Sequence, residues 1–166
     1  GYVYNPNLLD DRFDAQRMIT KRVKLRWQAT DSFEAILSVS HTNNRAGEDT
    51  VNAATFPAAR INFSDSPSGE GAQHDLYGLR LNWDSNDIFR LESETTIYTV
   101  DYFRVEDFDN SPLFLGGTNG NNRPEAWEQD IQLKFNTGTV SGVVGLFYTS
   151  VDDQRGGIST TDLGFI

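Results

Sequence analysis

The sequence predicts an all-β fold: an antiparallel up-and-down meander of about six long strands, part of a large transmembrane β-barrel. Three observations predict it. Long runs of side chains alternate between polar and apolar. Short turns alternate with long connections along the chain. Large aromatic side chains flank the short turns.

The alternation is plainest around residues 76–105, which read as a hairpin: LYGLRLNW, a polar DSND turn, then IFRLESETTIYTVDYFRV. The second arm far exceeds the ~5–6 residues usual for a strand in a soluble sheet. It is long enough to cross a bilayer, which takes ~9–11 tilted β residues. Tyr77, Leu79, Leu81 and Trp83 fall on one face of the first arm, because successive side chains of a strand point to opposite sides. Beyond Thr96 the outward set is ambiguous, and a bulge is expected there.

A first hairpin is expected at about residues 18–40. Lys21, Val23, Leu25 and Trp27 share one face and Arg22, Lys24 and Arg26 the other. The turn Ala29-Thr30-Asp31-Ser32 has residues suited to reversing the chain, and Phe33, Ala35, Leu37 and Val39 return on one face. A third hairpin is expected at about residues 126–151. Trp127, Ile131, Leu133 and Phe135 alternate with Glu128, Asp130, Gln132, Lys134 and Asn136. The turn Asn136-Thr137-Gly138-Thr139 is a strong hairpin signal, and residues 140–151 return with apolar side chains on both faces.

Residues 1–16, 41–74 and 106–125 carry no period and read as loops. Loops of the latter lengths are functional or disordered more often than not. The tight turns therefore gather at one end of the sheet and the long connections at the other, the asymmetry of outer-membrane barrels. Trp27 and Phe33 bracket the first turn and Trp83 and Phe89 the second, with Phe135 before the third. These five are the candidate membrane-interface aromatics, since an interface selects rings with an apolar body and a polar edge. Tyr77, Trp127 and Tyr148 are candidates for a second girdle. The charged faces, with Arg80, Glu92, Glu94, Asp130 and Lys134, are expected to line a lumen. The same pattern also fits the wet outside of a soluble acidic β-sandwich that binds carbohydrate through an exposed Trp, and this stands as the alternative.

Composition narrows the function. The 166 residues carry 14 Lys plus Arg against 24 Asp plus Glu, a formal net charge of -10. Such a chain repels phosphate backbones, so no nucleic-acid partner is expected. There is no cysteine, hence no disulfide or thiolate metal site. No apolar run is long enough for a transmembrane helix, which is silent about a barrel. No nucleophile elbow or phosphate-cradling Gly-rich loop is present, so no catalytic residue, enzyme activity or cofactor is expected. Asp10, Asp11 and Asp14 lack calcium-loop spacing and read as solvated acids, and His41 and His74 read as loop histidines rather than metal ligands. Phe63, Phe114, Arg123 and residues 119–122 are possible substrate contacts, without a specific pattern behind them. The substrate-binding residues and the substrate are unknown from sequence.

Residues 11–49 resemble a barrel hairpin of the TonB-dependent outer-membrane receptors, through Val23-Lys24-Leu25-Arg26-Trp27, then Thr30-Asp31, then Phe33. Residues 77–109 resemble a following hairpin, and Trp127-Glu128-Gln129-Asp130-Ile131-Gln132-Leu133 with Val143-Val144-Gly145-Leu146-Phe147-Tyr148 the one after. The resemblance implies residence in the bacterial outer membrane and uptake of a ferric siderophore or similar scarce nutrient. It implies two kinds of partner, the TonB energy-coupling system acting through the parent protein and the outer-membrane lipid. Residues 1–166 then form a partial barrel domain without a recognisable plug. The opening Gly1-Tyr2-Val3-Tyr4, without Met or signal peptide, and the end at Ile166 are expected of a piece of something longer or of a processed secreted domain.

Overall fold

The computed structural model describes residues 2–47 and 60–160, and side-chain surroundings through residue 157. Among them six strands form one antiparallel sheet in sequence order: β1 (Gln16–Thr30), β2 (Phe33–Gly47), β3 (Gly69–Asp84), β4 (Phe89–Asp107), β5 (Gly117–Asn136) and β6 (Ser141–Thr160). There is no helix among the described residues. The all-β meander is as expected. The sheet is open: β1 and β6 are its edges.

Local chemistry sets the turns. Asn86 Oδ1 accepts the N–H groups of Ile88 and Phe89, both at 2.9 Å, closing the turn between β3 and β4. Between β5 and β6, Asn136 Oδ1 accepts the Gly138 N–H at 2.9 Å, and Gly138 takes a φ of 85° that a side chain would resist. Thr137 N then donates to the Val140 carbonyl at 2.9 Å.

The strands outrun the sequence reading. The ladder between β2 and β3 continues past Ser40↔Leu76 to Gly47↔Gly69, so residues 41–47 and 69–74 are strand rather than loop. His41 and His74 lie within it. Likewise β5 begins at Gly117, which places residues 119–122 and Arg123 in a strand and leaves residues 108–116 as the connection. Polar sequence gives no period to read, yet the backbone ladder extends because each hydrogen bond is made by the main chain whatever the side chain. No bulge occurs at Thr96; β4 keeps one register against β3 and against β5, and the irregularity in β1 falls between Gln28 and Thr30.

Residues 2–15 form a small cap rather than a free loop. Val3 and Phe13 are the buried apolar side chains, and Asn5, Asn62, Ser64 and Asp107 are buried polar ones. Asn5 Nδ2 donates to the Ser64 carbonyl at 3.0 Å, its Oδ1 accepts from the N–H of Asn7 and Leu8, and Ser64 Oγ donates to Asp107 Oδ2. The cap thus ties the chain before β1 to the end of β4.

Among the described residues there is no dry interior outside the cap. The chain exposes 11670 Å², against about 8,200 Å² for a compact monomer of its mass. Leu25, Leu37, Ile131 and Leu133 are all exposed, and the described strands make one layer rather than two apposed ones.

Candidate functional site

The two faces of the sheet differ at the turn end, and the difference is built row by row. One row runs Val23, Val39, Tyr77, Ile97, Trp127. The next runs Leu25, Leu37, Leu79, Thr95, Gln129, Tyr148, and the third Trp27, Ala35, Leu81, Ser93, Ile131, Leu146. Then come Phe33, Trp83, Leu91, Leu133, Val144, and finally Phe89 beside Phe135. All of these project from one face, because cross-strand partners share a side. They make a continuous apolar belt. From Trp127 to Phe135 it runs roughly 27 Å along the strand, or about 20 Å tall at the tilt of barrel strands, near the ~25 Å band such barrels present to lipid.

The five candidate interface aromatics lie in or beside the last rows of this belt. Trp27 is 64% exposed and stands edge-on to Phe33, ring centroids 6.5 Å apart. Phe33 is the cross-strand partner of Trp83, and Phe89 of Phe135. At the opposite margin Tyr77 and Trp127 share a row, and Tyr148 lies 5.3 Å from Trp127 ring to ring. Aromatics therefore border the belt on both sides.

Polar side chains inside the belt satisfy one another. Thr95 Oγ1 donates to Gln129 Oε1 at 2.6 Å, and Gln129 Nε2 donates to Ser93 Oγ at 2.9 Å. An apolar surrounding penalises any polar group left without a partner, and this trio leaves few. Alternation puts Gln129 in phase with Trp127 and Ile131, but its partners Thr95 and Ser93 on the adjacent strand β4 follow only from the register.

The opposite face carries ion pairs. Arg26 pairs with Glu34, which also accepts from Asn82 at 3.0 Å. Arg80 meets Glu94 at 2.7 Å, and Glu92 accepts from Lys134 at 2.7 Å and Arg90 at 2.9 Å. These groups are partly exposed, so each pair is worth little to stability; their consequence is a wet, charged surface backing the apolar one. β6 departs from this plan. Val143, Phe147 and Val151 project from the charged side and are exposed.

Toward the loop end both faces turn polar. His41 and His74 occupy neighbouring positions but opposite faces: His41 Nδ1 pairs with Asp75 at 2.7 Å and His74 Nδ1 with the Tyr98 hydroxyl at 2.7 Å. They do not converge on a metal. No group of three or more His, Cys, Asp or Glu side chains capable of holding one occurs among the described residues. Asp14 instead accepts the N–H groups of Val3 and Tyr2, and Asp10 that of Arg12. Of the possible substrate contacts, Phe114 is exposed in the connection after β4, Phe63 is half-buried beside the cap, and Arg123 pairs with Asp101 at 3.2 Å. The structure does not gather them into one site. No protein-family model, curated protein or solved structure matches the chain.

Proposed function

We propose that this chain forms part of the barrel wall of a TonB-dependent transporter in the bacterial outer membrane, taking up a ferric siderophore or a similar scarce nutrient. The belt faces hydrocarbon, and the ion-paired face lines the lumen. The observation that carries the reading is the belt itself: contiguous, exposed, aromatic at both margins, and close in height to the apolar band of membrane barrels. An exposed apolar patch of this extent on a soluble monomer would be a liability, whereas lipid is a solvent for it. The unpaired edges of β1 and β6 require neighbours in a membrane, so the reading places further strands beside them. The transport function, the TonB coupling and the siderophore class rest on the resemblance of the three hairpins, not on the belt.

Fractionation of cells producing the natural parent tests the placement. The protein is expected in the outer-membrane fraction, released only by detergent; recovery from the soluble fraction without detergent overturns the reading. Transport is tested by uptake of labelled ferric chelate in iron-starved cells. Uptake is expected to fail both on deletion of the parent and on collapse of the proton gradient, and unaltered uptake in the deletion strain removes the transporter assignment.

A further inference from the structure

On the belt face, immediately beyond the row that begins with Val23 and Val39, β1 and β2 carry a basic cluster. Lys21 is the cross-strand partner of His41, and Arg17 of Arg45, with Ile19 opposite Asn43 between them. These six side chains line one open depression of about 360 Å³. Arg17 and Arg45 are thus like charges placed directly opposite each other on one face, an arrangement that destabilises a sheet unless something intervenes. Elsewhere Arg12, Arg26, Arg80, Arg90, Arg104, Arg123, Lys134 and Arg155 each meet a carboxylate, while Arg22 and Lys24 on the opposite face of β1, and Arg60, meet none among the described residues but stand opposite no like charge in the ladder. Among the described residues Arg17, Lys21 and Arg45 meet none, in a chain whose net charge is -10.

Edge protection does not account for this. Lys and Arg discourage pairing on an edge strand, which suits Arg17 and Lys21 on β1, but Arg45 belongs to β2, paired on both sides. An anion in the depression would relieve the opposed charges, and its position bears on which kind. It shares a face with the belt and begins where the apolar rows end, so its depth is that of a headgroup above acyl chains. Guanidinium forks bind phosphate oxygens in pairs, and a lysine adds a point charge.

We propose that Arg17, Lys21 and Arg45 bind the phosphate of an anionic membrane lipid whose acyl chains lie against Val23, Leu25 and Leu37. This rests on the membrane placement proposed above. Each basic residue near an anionic lipid surface contributes about fivefold, so the three together contribute on the order of 100-fold in affinity.

The test uses the detergent-extracted full protein, titrated with dioctanoyl phosphatidic acid, dioctanoyl phosphatidylcholine and inorganic phosphate, with bound lipid counted by native mass spectrometry. The R17Q/K21Q/R45Q variant is expected to bind the phosphatidic acid on the order of 100-fold more weakly. R22Q/K24Q, an equal kind of change on the opposite face, is expected to bind as the parent does, and R17K/R45K within a few-fold of it, which a misfolded chain would not. The triple variant is expected to be at least as thermostable as the parent in phosphatidylcholine, because it loses the opposed charges; a lower Tm overturns the proposal. Inorganic phosphate binding as tightly as phosphatidic acid also overturns it, making this a free-anion site. Extraction with detergent but equal phosphatidic acid binding by parent and triple variant sinks the lipid site alone. Recovery without detergent sinks the membrane placement and the lipid site with it.

Discussion

The turn-end and loop-end halves of this sheet share one hydrogen-bond ladder and differ in everything the side chains present. Near the turns, β3 shows Tyr77, Leu79, Leu81 and Trp83 on one face and Arg80 and Asn82 on the other. Nearer the loops the same strand shows Gln73 and Asp75 on the first face and His74 on the second. The backbone is indifferent to that change; the register between β2 and β3 runs unbroken through it. The lesson is that strand formation and solvent assignment are separate decisions here. Main-chain pairing carries the strands out of the apolar region, and the side chains alone mark where the apolar face ends.

The sharpest way to break this comparison is one substitution made twice on the same face of β3. Leu79→Arg, in the middle of the belt, is expected to cost about 2–4 kcal/mol of unfolding free energy in vesicles. Gln73→Arg, in the polar half, is expected to lie within about 0.5 kcal/mol of the parent. Denaturant titration followed by tryptophan fluorescence measures both. Equal costs would mean that the two halves meet the same solvent.

Next in size is the polar trio inside the belt. Gln129→Ala strips partners from Ser93 and Thr95 and is expected to cost about 1–3 kcal/mol in lipid, the penalty of unpartnered polar groups. In the polar half, Asn43→Ala is expected to change little. If Gln129→Ala is neutral in the same vesicles, water reaches the belt.

A matched pair sharpens the comparison by asking what the halves have in common. Phe135 lies over its cross-strand partner Gly142 near the turns, and Phe103 over Gly71 near the loops. A Cβ added at either glycine would come 2.7 Å from the ring Cζ. Each Gly→Ala is therefore expected to displace a ring and to cost about 1 kcal/mol, alike in both halves. A large inequality would show that the packing, and not only the solvent, differs between them.

The smallest effect belongs to the cap. The N–H of Val3 donates to Asp14 at 2.8 Å and holds its carboxyl below the usual value of 3.8, with the Tyr2 N–H adding to this against a desolvation that opposes it. A carboxyl whose folded pKa is depressed stabilises above its unfolded pKa, and that contribution disappears as pH falls through the folded value. Protection of the Val3 amide against exchange, taken relative to the intrinsic rate at each pH, is therefore expected to fall below pH 3.8 while that of the belt strands holds, and Asp14→Asn is expected to remove the pH step. A step that survives the substitution assigns it to another acid.

How much could be read in advance follows the same division. Where one face of a strand is apolar, the period of two is written in the residues. Val23, Leu25 and Trp27 against Arg22, Lys24 and Arg26 gave the faces of β1, and Trp127, Ile131 and Leu133 those of β5. The turn residues Asn136, Thr137 and Gly138 likewise located its hairpin. Residues 41–47, 69–75 and 117–125 are polar on both sides, so no alternation distinguished them from loop, and only the pairing of one backbone with the next made them strand. The same holds for groups brought together across strands. That Arg17 faces Arg45, that Gln129 meets Ser93 and Thr95, and that Asn5 meets Ser64 far along the chain depend on register and on loop return. The sequence by itself determined the local alternation and the turns, because those depend on neighbours along the chain. Strand length and cross-strand partnership were decided by the tertiary structure, because a ladder of main-chain hydrogen bonds leaves no mark on the side chains it carries.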